Sequence, residues 1–220
     1  MMRTPVTIGG VLKGVVQILG PAGAPAALIA FVICLPWVVL HYVGFPEQAR
    51  GLYDSIFLAL ADGAAYALAL QAIVVGETDV RAALRQGLRA WWRVFITYFF
   101  GSVRVFLFVL LLIVPGIVKA LSIVLGAPIA VLEDSSGSDA LDESERRMKG
   151  YRLVALVVFL IAMIPPASTI ALDLVLPPGS SLVPDLVLSA LSPVMSIPVL
   201  LVTAVLYAKT FVQSLPEESP

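Results

Sequence analysis

Two charged residues stand inside long apolar stretches, Asp62 within Leu52–Val75 and Arg104 within Val94–Val114. An ionisable group at bilayer depth marks a pathway, a ligand site or a pair that fixes helix packing. Each lies roughly ten residues from the outer end of its segment, about 15 Å at ~1.5 Å per residue. The two are therefore expected to meet as an intramembrane polar pair bordering a cavity or a lipid head-group site. A second kind of chemistry belongs to Arg81, Arg85, Arg89 and Arg93, which recur every four residues opposite the apolar Val80, Ala83, Leu84, Gly87, Leu88 and Trp91. Like charges at that spacing repel along an isolated helix. Against anionic head groups or an acidic partner they become tolerable, so the stripe reads as a head-group or partner-binding face. Glu133 and Asp134 either receive that stripe or face water. Asp173 and Lys119, at matching depth near the outer interface, are long or terminal enough to snorkel. His41 and Cys34 each occur once. They supply no zinc site, no Cys–His nucleophile and no Ser–His–Asp triad. The sequence also lacks G-x-S-x-G, H-E-x-x-H and P-loop patterns, so neither a catalytic residue, a metal nor a cofactor is expected.

The solvent that these groups meet follows from composition. The 220 residues are 60% hydrophobic and 13% charged, with a mean hydropathy of +0.99. A soluble domain carries about 25% charged residues. Too little polar surface exists here to cover a globule in water, and lipid must be the main solvent. A net charge of −1 without a basic tail gives no nucleic-acid footprint. The single cysteine allows no intrachain disulfide. Arg3 ahead of apolar sequence and Ala22–Gly23–Ala24 resemble a signal peptide with its cleavage site. Lys13 and Gln17 interrupt the apolar region, however, and cleavage is not expected.

The elements that position the charged residues are all helical. Thr7–Gly20 is a two-faced interfacial helix with Thr7 as N-cap, too short to span a core of about 30 Å. Span 1 (22–43) carries Pro36 as a kink, with Trp37, His41 and Tyr42 at the far interface. Span 2 (52–75) carries Ala59, Gly63 and Ala67 at four-residue spacing, a stripe that lets another helix approach closely. A second amphipathic helix (78–92) precedes span 3 (94–114). Pro115–Gly116 turns the chain into a short span 4 (117–132), broken at Gly126 and Pro128. The third amphipathic helix (138–150) sets Asp142, Glu143 and Glu145 four residues before Arg146, Arg147 and Lys149, the favourable order. Spans 5 (153–176) and 6 (186–207) complete an all-α polytopic membrane protein of six transmembrane helices and three cytoplasmic interfacial helices. With both termini inside, eleven basic residues are cytoplasmic, while Arg50 and Lys119 are outside, in accord with the positive-inside rule. Residues 1–220 form a single integral domain with a threefold internal repeat of one helix plus two spans (units about 7–76, 77–133 and 134–212). Val11–Leu12–Lys13, Ala83–Leu84–Arg85 and Ala140–Leu141–Asp142 hold equivalent places in the three units.

The segment from Ala127 to Arg152 resembles the signature of the membrane domain found beside some bacterial glycerophosphoryl diester phosphodiesterases, which also occurs in free-standing six-span proteins. Pro128, Glu133, Ala140, Leu141, Ser144, Lys149 and Gly150 stand at the motif positions, and Ile8–Leu12, Val114–Gly116 and Leu206–Tyr207 also fit. The resemblance covers nearly the whole chain. Asp142 and Glu143 replace the basic residue usual in the serine-containing turn. It implies a bacterial inner-membrane protein with both termini cytoplasmic. The phosphodiesterase activity belongs to a soluble barrel and is not carried over. The function expected is a non-enzymatic scaffold or accessory of the cell envelope that binds anionic lipid or a membrane or cytoplasmic protein partner. The alternative is a small carrier with its site at Asp62 and Arg104. Ligand and oligomeric state are not legible.

Overall fold

The structure, a computed structural model, describes residues 6–42, 48–168 and 194–214, which contain helices and no strand. Helix α1 (Ile8–Ile18) begins at Thr7, whose Oγ1 accepts from the Gly10 N–H at 3.2 Å, as the N-cap reading expects. It does not end in a turn. Leu19–Gly23 forms a π-helical turn that leads directly into α2 (Ala24–Tyr42). A π-bulge absorbs Pro21 without breaking the rod, so the first interfacial helix and span 1 are joined rather than separate. The same holds in the second unit. After α3 (Gln48–Val74) the chain turns at Gly76, with φ +82°, and Asp79 caps the next helix by accepting from the N–H groups of Arg81 and Ala82. That helix, α4, runs unbroken from Val80 to Leu111 and contains the arginine stripe and most of span 3. The chain turns at Leu112, not at Pro115–Gly116, which lie in the first turn of the next helix, where a proline needs no N–H partner.

Span 4 is broken as its glycine and proline predict, into α5 (Ile113–Ser122) and α6 (Gly126–Leu132). The break is held by Ser144 on α7 (Gly137–Met148), the third amphipathic helix. Its hydroxyl donates to the Ser122 carbonyl at 2.9 Å and accepts from the Leu125 N–H at 3.0 Å. Two backbone groups orphaned between α5 and α6 are thereby satisfied inside a buried joint, where each would otherwise cost about 1–3 kcal/mol. Gly150, with φ +94°, makes the turn into α8 (Arg152–Ala162), and α9 (Ile197–Ser214) closes the bundle.

Ile8–Ile33, Ile56–Val74, Val80–Leu111 and Ile113–Leu132 are long and apolar enough to cross a membrane. The protein is thus all-helical with several membrane-length helices. Between Arg152–Ala162 and Ile197–Phe211, which are apolar but shorter, lie residues 169–193, outside the described set along with Asp173 and the start of span 6. The side chains of Cys34, Trp37, His41, Tyr42 and Arg50 are likewise outside it.

Packing follows residue size. The most extensive helix pair is α3 with α4. Ala59, Gly63 and Ala67 are buried, and a Cβ built on Gly63 would lie 3.2 Å from the Gly87 Cα of α4. Lipid gives helices no hydrophobic reason to associate, so close backbone approach through small residues holds such a pair. Val11, Ala83 and Ala140, the first residues of the three triplets compared in the sequence, are each fully buried. Helix α1 packs on α9, the first part of α4 on α3, and α7 on α5 and α6.

Candidate intramembrane site

The anticipated Asp62–Arg104 pair does not form. Arg104 Nη1 lies 2.6 Å from Asp142 Oδ1 and 3.5 Å from Glu145, and its Nη2 donates to Ser138 Oγ at 2.6 Å. All three partners are on α7. Nor are the two level: Gly87 packs on Gly63 and Ala64, and Arg104 is seventeen residues farther along α4, about 25 Å at ~1.5 Å per residue. Helix α4 presents Arg104 to α7 and a different residue, Tyr98, to α3. Lys119 also pairs with Glu145, which puts it beside the amphipathic α7 instead of at the outer interface. Of the four-residue pairs expected within α7, Glu143–Arg147 forms and the other two are replaced. Glu143 pairs with Arg147 and also with Arg146, while Asp142 and Glu145 reach the basic residues of α4 and α5.

Asp62 accepts a hydrogen bond of 2.5 Å from the Tyr98 hydroxyl. Tyr66 stands in the same cluster, interacting with Tyr98 and with Thr203 of α9. Trp91 pins the helices just above by donating from Nε1 to the Ile56 carbonyl at 2.7 Å. Tyr66 lies one helical turn after Asp62, so the carboxylate and phenol share a face of α3. Sequence reasoning passed over both tyrosines. The available signal was a tyrosine hydroxyl inside each apolar span, since a buried tyrosine O–H takes a partner.

These groups line a cavity of about 970 Å³ between α3, α4, α5, α6, α8 and α9. Most of its wall is hydrocarbon, from residues such as Val105, Ile123, Phe159 and Val199. The polar groups collect around Asp62, with Thr97 and Ser102 elsewhere on α4. Leu141 of α7 is part of the wall, so the amphipathic helix shapes the cavity as well as covering the bundle. An apolar pocket with a few convergent polar groups is the usual form of a small-molecule site. Among the described residues, no group of three or more His, Cys, Asp or Glu side chains could hold a metal.

No family model, curated protein or solved structure matches the chain.

The remaining sequence-selected residues fall into two sets. Arg81, Arg85 and Arg89 are exposed and make no ion pair among the described residues, whereas Arg93 pairs with Asp134 at 2.7 Å and donates to the Ala130 carbonyl at 3.0 Å. The arginine stripe is thus three open positions and one structural tie. Glu133 receives not the stripe but Arg147 of α7, at 2.6 and 2.7 Å, and the Tyr207 hydroxyl at 2.7 Å. The motif positions are mostly structural. Pro128, Ala140, Leu141 and Ser144 are buried, Gly150 takes a positive φ, and Lys149 is exposed.

Proposed function

We propose that the protein is a non-enzymatic, membrane-embedded binding protein that takes an apolar or amphiphilic molecule into its cavity. The observation that carries this reading is the roughly 970 Å³ apolar cavity with its polar groups gathered at Asp62, Tyr98 and Tyr66. Arg81, Arg85 and Arg89 would lie against anionic head groups, each worth about 1 kcal/mol near such a surface.

The six-span topology, with both termini cytoplasmic in a bacterial plasma membrane and three repeated units, belongs to the same proposal, as does affiliation with the phosphodiesterase-associated membrane domains. In a protein with Cys34 replaced by alanine, a cysteine at Leu112 should react with an impermeant maleimide from the face opposite that labelling a cysteine at Gln86. Labelling of both from one face would overturn the six-span arrangement.

Lipid identification by mass spectrometry on purified protein tests the function. Native protein should retain an amphiphile in near-stoichiometric amount. Occupancy should fall several-fold when a tryptophan replaces Val199 in the cavity wall. Changing Arg81, Arg85 and Arg89 to glutamine should remove loosely held anionic lipid only. Equal retention by native and Val199→Trp protein would sink the cavity reading.

A further inference from the structure

Among the described residues, Asp62 is the one charged side chain in the cavity wall, and no lysine, arginine or histidine pairs with it. Its recorded hydrogen bond is the one from Tyr98. Arg104, the obvious candidate, is committed to Asp142, Ser138 and Glu145. A carboxylate away from water and without a counter-charge either takes up a proton or takes a positive group from elsewhere.

The geometry points to a ligand that supplies it, an amphiphile with a long apolar body and a cationic ammonium head seated at Asp62. This rests on the cavity being the binding site. The ammonium would donate to the carboxylate oxygen left free by Tyr98, while the apolar body lies along Val105, Ile123 and Phe159. Tyr66 and Tyr98 line the same cavity, and phenol faces attract a cation. Anionic amphiphiles, including fatty acids and phosphate monoesters, would meet an unshielded like charge and no basic residue in the wall. The cavity and the surface stripe thus have opposite preferences: cations within, anionic head groups at α4.

The test uses chains that differ only in their heads. Dodecylamine, dodecan-1-ol and dodecanoate are each titrated at pH 7 into purified protein in a non-ionic maltoside, with binding read by calorimetry. The amine is expected to bind at least about tenfold more tightly than the alcohol, and dodecanoate more weakly than either. Asp62→Asn should bring amine and alcohol within about twofold of each other. If native protein binds amine and alcohol equally, or prefers dodecanoate, the ammonium assignment is wrong although the cavity still binds chains. If none of the three binds, or if Val199→Trp leaves all three unchanged, the cavity reading itself has failed. The ladder on native protein needs no variant, so a poorly folding Asp62→Asn protein would not prevent the decision.

Discussion

Gly87→Leu is expected to remove most of the folded protein, lowering the yield of monodisperse material and the thermal midpoint in detergent. A Cβ at position 87 would lie 2.6 Å from the Ala64 nitrogen and 3.0 Å from both its Cα and its Cβ. Two of these three are backbone atoms and cannot swing aside as a flexible side chain can. Relief requires α3 and α4 to separate along their whole contact, the most extensive in the bundle. Overpacking in a close-packed interior costs about 1–3 kcal/mol when side chains can adjust. Against fixed backbone the upper end, about 3 kcal/mol or more, is expected for leucine. Gly87→Ala should fall lower on the same scale. Gly9→Ala is the control, because nothing lies within 4 Å of a Cβ built there. A Gly87→Leu protein that melts with Gly9→Ala would mean the helices do not cross at this point. The crossing also serves the site, since Asp62 adjoins Gly63, and a splayed α3 would carry the carboxylate away from Tyr98.

That crossing explains what could and could not be read from the residues. The stripe of Ala59, Gly63 and Ala67 announces a close helix neighbour, and α4 occupies it. Direction is then arithmetic. At about 100° per residue, Tyr98 lies within ~20° of Gly87 around α4, whereas Arg104 lies ~100° away. The face of α4 that meets α3 therefore carries Tyr98, and Arg104 cannot share it. Counting residues from the segment ends suggested the ion pair; the Gly63–Gly87 contact, which fixes where α4 passes Asp62, and the azimuth both exclude it. Nothing local could place α7 across α5 and α6, because its acids have partners 26 to 38 residues away in Lys119 and Arg104. Ser144 shows the same limit. It reads as one small residue on an amphipathic face, and its work of joining a broken span appears only when α7 is seated. The division between α1 and α2 was misplaced for a different reason. Gly20–Pro21 signals a stop, but a π-helical turn accommodates the missing N–H and the rod continues.

Arg147→Ala should be the most damaging change to the charged layer, and its neighbour Arg146→Ala nearly silent. The Arg147 side chain is 8% exposed and that of Arg146 is 78% exposed. Arg147 forks onto both oxygens of Glu133 and reaches Glu143 through Nε at 2.6 Å. Its guanidinium lies 5.8 and 5.5 Å from the ring centroids of Tyr207 and Phe211. One side chain therefore ties α6, α7 and α9 together. Truncation leaves Glu133 without a cation in a partly buried layer, while Glu143 keeps only the exposed Arg146, and breaking a buried pair this way costs about 3–5 kcal/mol. Arg147→Lys should recover part of that, because it keeps the charge and loses the planar fork and ring stacking. Arg146 faces solvent, where an ion pair is worth about 0–1 kcal/mol. Thermal unfolding in detergent separates these cases by rank: native and Arg146→Ala together, Arg147→Lys below them, Arg147→Ala lowest. The decisive variant is the triple change Glu133→Gln, Glu143→Gln and Arg147→Met. If the loss comes from stranded charge, this protein should melt well above Arg147→Ala despite carrying more substitutions. If it melts lower still, the guanidinium contributes mainly through packing on Tyr207 and Phe211, and the electrostatic account of this knot is wrong.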